Sequence, residues 1–461
     1  MGFDPLNARQ KSPRLPNRQA DQTQDDENRE NAENSFFQSG DLQRHGEGLG
    51  FIMARRLIIF AYPDFGRFSM ARCASTLAFQ MQAVAVGWQV YAFTHSTFAL
   101  GMIGLAQFLP MLLCTLPAGH AADHWDRRMI SGLMVAVQGL AMAFLAFGNH
   151  AGWMRPSVLF AAVAAIGAAR AFERPATQAL IPALVAPTEL SEAVAWSSGI
   201  FEFSTIVGPV LGGLLYAWSP PLCYATAAAL AFAGSGFLSL IAPERGERSR
   251  PPATLASLFS GIHYIRRHPV ILGSISLDLF AVLLGGATAL LPAYARDVLG
   301  VGVGGLGALR AAPALGSLAM TALLVTRPIR RRAGRKMFAA VFAFGAATVV
   351  FGLSRSFTLS FAALVALGAA DVVSVVIRGS LVQLQTPEGM RGRVSAVNGL
   401  FIGTSNQLGE FESGVTAAWW GTVPATVIGG IGTLIVGALW MRAFPDLAEC
   451  DRLDKGPSEE T

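Results

Sequence analysis

Long apolar runs separated by short polar stretches dominate the chain from residue 68 onward. Twelve of these runs approach the length of about 20 residues that a helix needs to cross a bilayer. Because only a closed hydrogen-bond pattern satisfies the backbone in lipid, they predict an all-α integral membrane protein with twelve transmembrane helices. In chain order the runs are 68–93, 98–118, 129–147, 157–177, 195–218, 222–241, 270–294, 304–326, 337–353, 358–376, 394–417 and 422–441.

The longest internal polar connection, 242–268, divides the runs six and six. Apolar residues recur in it at helical spacing, at Leu255, Leu258, Phe259, Ile262 and Ile265. This spacing predicts an amphipathic helix lying at the membrane surface. We therefore predict an N-terminal six-helix bundle over 54–241, a cytoplasmic linker over 242–268, a C-terminal six-helix bundle over 269–442 and a cytoplasmic tail over 443–461.

The two halves also repeat weakly. At an offset of 203 residues, Tyr91 matches Tyr294, Gly101 matches Gly304, Gly104 matches Gly307 and Pro110 matches Pro313. Towards the end of each half the offset becomes 200, and Gly199 then matches Gly399. Such repetition is typical of transporters built from two parallel halves, so the two bundles are predicted to be pseudo-symmetric.

Composition agrees with a membrane protein and disfavours other classes. Charged residues make up 14% of the chain and apolar residues 52%, whereas soluble domains contain about 25% charged residues. The four cysteines are scattered without metal-ligand or redox spacing, and we find no phosphate-binding loop or nucleophile motif. We therefore expect no enzyme activity, no cofactor or metal, and no nucleic-acid partner.

Residues 1–50 are rich in polar and charged residues and predict a disordered cytoplasmic tail. A regulatory role for this tail stays open, as does a start of translation at Met53. We expect no cleavable signal peptide, because no apolar run precedes residue 50.

Lysine and arginine are unevenly distributed between the connections. Those after odd-numbered runs carry only Arg155, Arg296 and Arg355, whereas those after even-numbered runs carry most of the basic residues. Positive charge is retained on the cytoplasmic side, so both termini are predicted to be cytoplasmic in a bacterial inner membrane.

The connection between the second and third runs, 119–128, contains the pattern Gly-x-x-x-Asp-x-x-Asp-Arg-Arg. It resembles the corresponding loop of the major facilitator superfamily, which latches the cytoplasmic side shut. The resemblance assigns a cytoplasmic gate role to Gly119, Asp123, Arg127 and Arg128. Ordinary positive-inside charge explains the arginines but not the other two residues. In the second half Thr326 aligns with Asp123, so a latch there would be degenerate.

The fifth run contains Gly208, Pro209, Gly212 and Gly213 in the pattern Gly-Pro-x-x-Gly-Gly. This pattern resembles the helix-5 signature of proton-coupled exporters in the same superfamily, although it also suits plain helix packing. The stretches 181–185 and 383–394 are similar to the branch that includes the bacterial enterobactin exporters. That likeness spans 62–445 and implies export, without specifying the substrate.

Several ionisable residues lie inside the runs, where charge is costly and usually functional. We predict proton-coupling roles for Glu202, Asp278, Arg310, Glu410 and Glu412, and Asp371 is a further candidate. Arg310 could pair with Glu410 or Glu412, either as a proton-binding switch or as a static ion pair. Glu202 and Asp278 could line a central cavity. Glu173 and Arg174 suggest a local pair at the inner end of the fourth run.

On the first run, Gln80, Gln82, Trp88 and Gln89 are candidate substrate contacts, with helix–helix hydrogen bonding as the alternative. Together these features predict a monomeric secondary transporter in contact with lipid. It would export a siderophore-like or lipophilic drug-like molecule, with the proton gradient as its energy source. Uptake or lysophospholipid flipping by the same fold, or a non-transporting membrane sensor, remain alternatives.

Overall fold

The computed structural model describes residues 61–242, 255–329 and 331–451, without the side chains of 116, 120, 122, 123 and 255–258. The predicted tail over 1–50 and the possible start at Met53 therefore lie outside the described residues. The same holds for most of the polar part of the linker and for the last ten residues of the chain.

Twelve long helices run through the described ranges, and we label them α1 to α12. Prolines stand in the first turn of α1, α4, α6 and α7, where a missing N–H costs no hydrogen bond. The bounds are α1 Pro63–Thr94, α2 Thr97–His124, α3 Arg127–His150, α4 Pro156–Leu184, α5 Leu190–Trp218, α6 Pro220–Ser239, α7 Pro269–Leu284, α8 Val303–Thr326, α9 Ala333–Leu353, α10 Phe357–Leu384, α11 Glu388–Trp420 and α12 Thr422–Ala443. Two short helices complete the set, the linker helix Leu255–Arg267 and a terminal helix Pro445–Glu449.

Ten segments of the described chain are long and apolar enough to cross a membrane. The two long helices that miss this criterion are α1 and α11, which are also among the longest. Both carry a row of polar residues within their length, such as Gln82 and Gln89 on α1 and Gln407 and Glu410 on α11. Polar residues at membrane depth usually face a cavity or a partner helix, and α1 and α11 line the cavity described below.

The seventh predicted span is not one continuous helix. α7 ends at Leu284, and after Gly285 and Gly286 the chain forms a 3₁₀ turn, a single helical turn and the π-helical turn Tyr294–Val298. A Cβ at Gly286 would lie 2.7 Å from the Gly409 carbonyl oxygen. Gly286 thus permits close approach to α11, and Gly285, where a Cβ would lie 2.5 Å from Phe344 Cε1, permits close approach to α9, at the cost of helix continuity.

The same packing pairs occur in both halves, shifted by six helices. In the first half α1 packs on α5 and α6, α2 on α4, and α3 on α4 and α6. In the second half α7 packs on α11 and α12, α8 on α10, and α9 on α10 and α12. The prediction of two pseudo-symmetric six-helix bundles in an all-α membrane protein is confirmed.

The two bundles contact each other through α2 with α11 and α5 with α8. A Cβ at Gly101 would lie 2.9 Å from the Gly414 Cα, and one at Gly213 would lie 2.6 Å from the Val303 carbonyl oxygen. All of these residues lie towards the end of the bundle at which α1 connects to α2, which we call the closed end. At the opposite, open end, a Cβ at Gly199 of α5 or Gly399 of α11 would meet no atom within 4 Å.

The linker helix packs against α11 and also carries an exposed apolar residue. Ile265 is buried with Val394 and Val397 of α11, and the Tyr264 hydroxyl donates to the Gln385 carbonyl oxygen at 3.2 Å. Phe259 remains 67% exposed. The predicted amphipathic helix is therefore present, but part of its apolar face is buried against α11 rather than turned to lipid.

Glycine contacts within the C-terminal bundle predict that alanine substitutions at two positions of α10 differ in their effect on stability. A Cβ at Gly368 would collide with the Pro313 carbonyl oxygen of α8, whereas one at Gly379 of the same helix would meet nothing within 4 Å. We expect Gly368→Ala to lower the free energy of unfolding by about 2 kcal/mol, as overpacked substitutions do. Gly379→Ala is the matched control. Thermal unfolding of the two purified variants in detergent would measure the difference, and equal midpoints would contradict this packing.

Candidate substrate cavity between the two halves

A polar cavity lies between the two bundles and has two parts that share Arg174. The deep chamber, about 140 Å³, is formed by α1, α2, α4, α8, α11 and the segment after α7. The vestibule, about 380 Å³, lies nearer the open end and is formed by α1, α3, α4, α5 and α11. Polar residues of the deep chamber are Gln82, Gln107, Arg174, Arg310, Gln407 and Glu410; those of the vestibule include Arg72, Gln138, Arg170, Glu173, Arg174, Gln178 and Asn406.

Positive charge exceeds negative charge in this cavity. Four arginines, Arg72, Arg170, Arg174 and Arg310, face two glutamates, Glu173 and Glu410. No ion pair within 4.0 Å joins any of these residues in the described part of the chain. The guanidinium groups are therefore available to a ligand that carries negative charge or electron-rich rings.

Two of the arginines are held by aromatic rings rather than by carboxylates. The Arg170 Cζ lies 3.6 Å from the centroid of the Phe79 ring, and the Arg72 Cζ lies 5.8 Å from that of Phe201. The Nε atoms of both arginines are buried without a hydrogen-bond partner. These contacts place the guanidinium groups beside ring faces and leave their Nε–H groups unsatisfied, so a bound acceptor would stabilise them.

Of the two carboxylates predicted to pair with Arg310, Glu410 lines the deep chamber with it, but no ion pair within 4.0 Å joins the two described side chains. Glu412 lies apart from this chamber. Its carboxylate accepts hydrogen bonds from Thr416 Oγ1 at 2.8 Å and Ser413 Oγ at 3.4 Å. Two residues along a helix differ by about 200° in direction, which explains why only Glu410 faces Arg310.

Glu202 and Asp278 line neither part of the cavity. Glu202 is half-buried on α5. Asp278 is buried within the second bundle and forms an ion pair with Arg378 of α10. The expectation that Asp278 faces the central cavity thus differs from the structure, because the facing residue of α10 draws its side chain into the bundle.

The four candidates on the first helix take different positions. Gln82 is buried and lines the deep chamber. Gln89 joins helices instead: its Nε2 donates to Asn149 Oδ1 at 2.5 Å, and its Oε1 accepts from the Tyr224 hydroxyl at 2.8 Å. The other two candidates pack against protein, Gln80 at Gly208 of α5 and Trp88 on the core of the second bundle.

The Gly-Pro-x-x-Gly-Gly pattern of α5 serves two packing surfaces. Cβ atoms at Gly208 and Gly212 would lie 2.6 Å from Gln80 Cβ and 2.7 Å from Met81 Cα, both on α1. Gly213 faces α8 in the other bundle, and a Cβ at Gly307 of α8 would collide with the Pro209 carbonyl oxygen. The pattern therefore brings α5 close to α1 and to the opposite half at once.

The predicted gate loop lies at the open end. Asp126 caps α3 by accepting from the Arg128 backbone N–H at 3.0 Å, and its carboxylate pairs with Arg128 Nε at 2.7 Å. Arg128 also donates to the Ile241 carbonyl oxygen at 2.5 Å, which ties the start of α3 to the end of α6. A Cβ at Gly119 would meet nothing within 4 Å. The Asp123 side chain lies outside the described residues.

A hydrogen bond between the halves adds to the helix contacts at the closed end. The Tyr91 hydroxyl of α1 donates to Asp297 Oδ2 in the π-helical turn after α7. This bond would have to break if the closed end opened, because its two groups belong to different bundles.

Sequence reasoning missed Arg72, Arg170 and Arg378 as functional candidates. Arg72 and Arg170 lie inside predicted spans, and a charged residue at membrane depth indicates a functional site, so the sequence alone could have identified them. Arg378 lies two residues beyond the predicted tenth span, which ended at 376, whereas α10 continues to Leu384. The pair Glu173 and Arg174 was expected at the membrane interface, but both residues line the vestibule.

Two bundles related by pseudo-symmetry, with a polar cavity between them, define a secondary transporter of the major facilitator superfamily. A family model described as transmembrane secretion effector matches residues 59–461, and the chain belongs to this family. The resemblance to the superfamily is thereby confirmed, and membership places the chain among transporters rather than enzymes.

Curated relatives include the enterobactin exporter EntS of Escherichia coli O1:K1 / APEC, which is 27% identical over 85% of this chain and 94% of its own length. EntS of Citrobacter koseri is 28% identical over the same shares. Among solved structures, an inward-facing, unoccupied bacterial homologue of the human lysosomal transporter Spinster has a TM-score of 0.69 at 16% identity, covering 86% of this chain and 99% of that one. An inward-facing bacterial homologue of ferroportin has a TM-score of 0.60 at 18% identity, covering 82% and 98%.

The α5–α8 contact predicts how a methyl group added at Gly213 shifts the equilibrium between the closed and the opened state of the closed end. Because a Cβ at Gly213 would lie 2.6 Å from the Val303 carbonyl oxygen, Gly213→Ala should open the closed end. Overpacking of about 1–3 kcal/mol corresponds to a change of about 5- to 150-fold in the equilibrium between the closed and the opened end. The readout is labelling of a Val303→Cys reporter, 5% exposed in this conformation, by a membrane-impermeant thiol reagent.

The labelling is done with the four native cysteines replaced by serine, and Gly199→Ala on the same helix is the control. We expect faster labelling with Gly213→Ala and no change with Gly199→Ala. Identical rates in both variants would mean that this contact does not hold the closed end.

Proposed function

We propose that this protein is a proton-driven exporter that moves a small, electron-rich organic molecule of the siderophore type by alternating access. The observation that carries the proposal is the arginine-rich cavity between the halves, open towards one end and sealed at the other by two glycine contacts. The relatives named as enterobactin exporters support a catecholate as the substrate class.

The open end is proposed to face the cytoplasm of a bacterial inner membrane, with both termini on that side. The excess of arginine in the connections at this end supports that orientation. A substrate would then enter the vestibule from the cytoplasm, which suits an exporter. No cofactor is required in this scheme, since the proton gradient supplies the free energy.

Charge favours siderophore-like substrates over lipophilic cations. Arg72 and Arg170 present unsatisfied N–H groups, and Phe79 and Phe201 offer ring faces beside them. A catecholate supplies both hydroxyl or oxyanion acceptors and aromatic rings. A cationic drug would be repelled by four arginines that two glutamates only partly offset.

Glu410 is the proposed carboxylate for competition between substrate and proton in the deep chamber. It lies with Arg310 in the same chamber, beside Gln407, whose Oε1 is buried without a partner. Ionised Glu410 would accept hydrogen bonds from hydroxyl groups of the substrate while Arg310 binds its anionic groups, and protonation of Glu410 would weaken this acceptor and favour release. Binding of the two ligands would thus bias the two facing states differently, as alternating access requires.

The test is efflux from bacterial cells that lack their own siderophore exporters. A tris-catecholate siderophore and a fluorescent lipophilic cation are compared, with and without a protonophore, at matched expression. We expect protonophore-sensitive efflux of the siderophore. Arg170→Gln should reduce it about ten-fold or more, because hydrogen bonds to charged groups contribute roughly 1.5–3 kcal/mol.

Arg442→Gln, at the exposed end of α12, is the control for loss of one positive charge and should leave efflux unchanged. Preferential efflux of the cation would refute the substrate class. Absence of flux for both compounds in the wild type would refute export of these molecules and favour uptake or lipid movement.

A further inference from the structure

A second group of ionisable residues lies inside the C-terminal bundle, away from the central cavity. Asp278 of α7 forms an ion pair with Arg378 of α10, and the two residues are 5% and 2% exposed. Asp371, also on α10, borders a small pocket of about 10 Å³ together with Asp278 and Ser374. Two carboxylates are thus held near one arginine in the interior of a membrane-embedded bundle.

Among the described residues that line this pocket, none is basic. From α9 the pocket is lined by Ala340, Val341 and Phe344. The basic residues described on α9 and α12, namely Arg335, Lys336 and Arg442, are exposed at the open end of the bundle. One arginine can compensate one carboxylate, and an unpaired buried charge is strongly unfavourable.

Ser374 provides independent evidence for a ligand in the pocket. Its side chain is 4% exposed, and its Oγ has no hydrogen-bond partner. Ser374 lies three residues after Asp371, on the same face of α10, and lines the same pocket. A pocket of about this size holds one water molecule, which could connect the hydroxyl with both carboxylates.

We infer that Asp371, with Asp278, Arg378 and Ser374, forms a proton-binding site that is separate from the substrate cavity. Asp278 stays ionised beside Arg378, and Asp371 carries the proton, with one pocket water connecting it to the Ser374 hydroxyl. Loss of this proton would leave two carboxylates competing for Arg378 and would weaken the contact between α7 and α10. The inference rests on the proposed function for its role in coupling, but the binding of the proton itself does not.

The first test measures protonation directly in purified full-length protein. Infrared difference spectra between acidic and alkaline buffer should contain the C=O stretching band of one protonated carboxyl group that is missing in Asp371→Asn. Asn matches Asp in shape and removes no ion pair, so folding should be retained. Asp446→Asn, an exposed carboxylate on the terminal helix, is the control and should keep the band.

The second test uses proteoliposomes with the tris-catecholate siderophore as the probe. In Asp371→Asn, proton-driven accumulation of the siderophore should fall towards the level that the wild type reaches with a protonophore, and exchange should depend less on pH than in the wild type. Asp446→Asn should behave as the wild type. An unchanged infrared band or unchanged proton-driven accumulation in Asp371→Asn would overturn the inference. If the wild type itself moves no siderophore, the proposed function fails, while the infrared test still decides the proton site.

Discussion

Close backbone contact between the two halves is the constraint on which the rest of this structure depends. α2 meets α11 at Gly101 and Gly414, and α5 meets α8 at Gly213. Side chains at these positions would separate the helices, whereas glycine allows the backbones to touch. Among the described residues these glycine contacts lie towards one end, and the bundles diverge at the other, where a Cβ at Gly199 or Gly399 would meet no atom within 4 Å. The cavity is the space that this divergence leaves.

The internal repeat acquires a physical meaning from these contacts. Gly101 and Gly104 of α2 face α11, and their repeat partners Gly304 and Gly307 of α8 face α5. The same pair of glycines therefore serves equivalent interfaces in both halves. The halves differ where function requires it, since the arginines of the vestibule come from α1 and α4, whereas Arg310 and Glu410 come from the C-terminal half.

The helices, their number and the repeat were predictable because hydropathy, glycine and proline act along the chain. The family was also accessible from the motifs at 119–128 and 208–213. The sequence does not indicate which neighbouring helix or cavity each side chain faces. Gln82 and Gln89 are two turns apart on one face, yet one lines the cavity and the other bonds Asn149 and Tyr224. Such a difference depends on neighbouring helices, which a single-chain pattern does not specify.

α7 connects the proposed proton site, the central cavity and the closed end. Its regular part carries Asp278, which pairs with Arg378 beside Asp371. Beyond the break at Gly285 and Gly286, Pro292 lines the deep chamber, and Asp297 accepts the bond from Tyr91 of the other half. Coupling between distant sites requires an element that each site biases between two arrangements. α7 is broken by two glycines and is anchored by an ion pair in one segment and by a hydrogen bond between the halves in the other, so a change at either anchor acts on the same element.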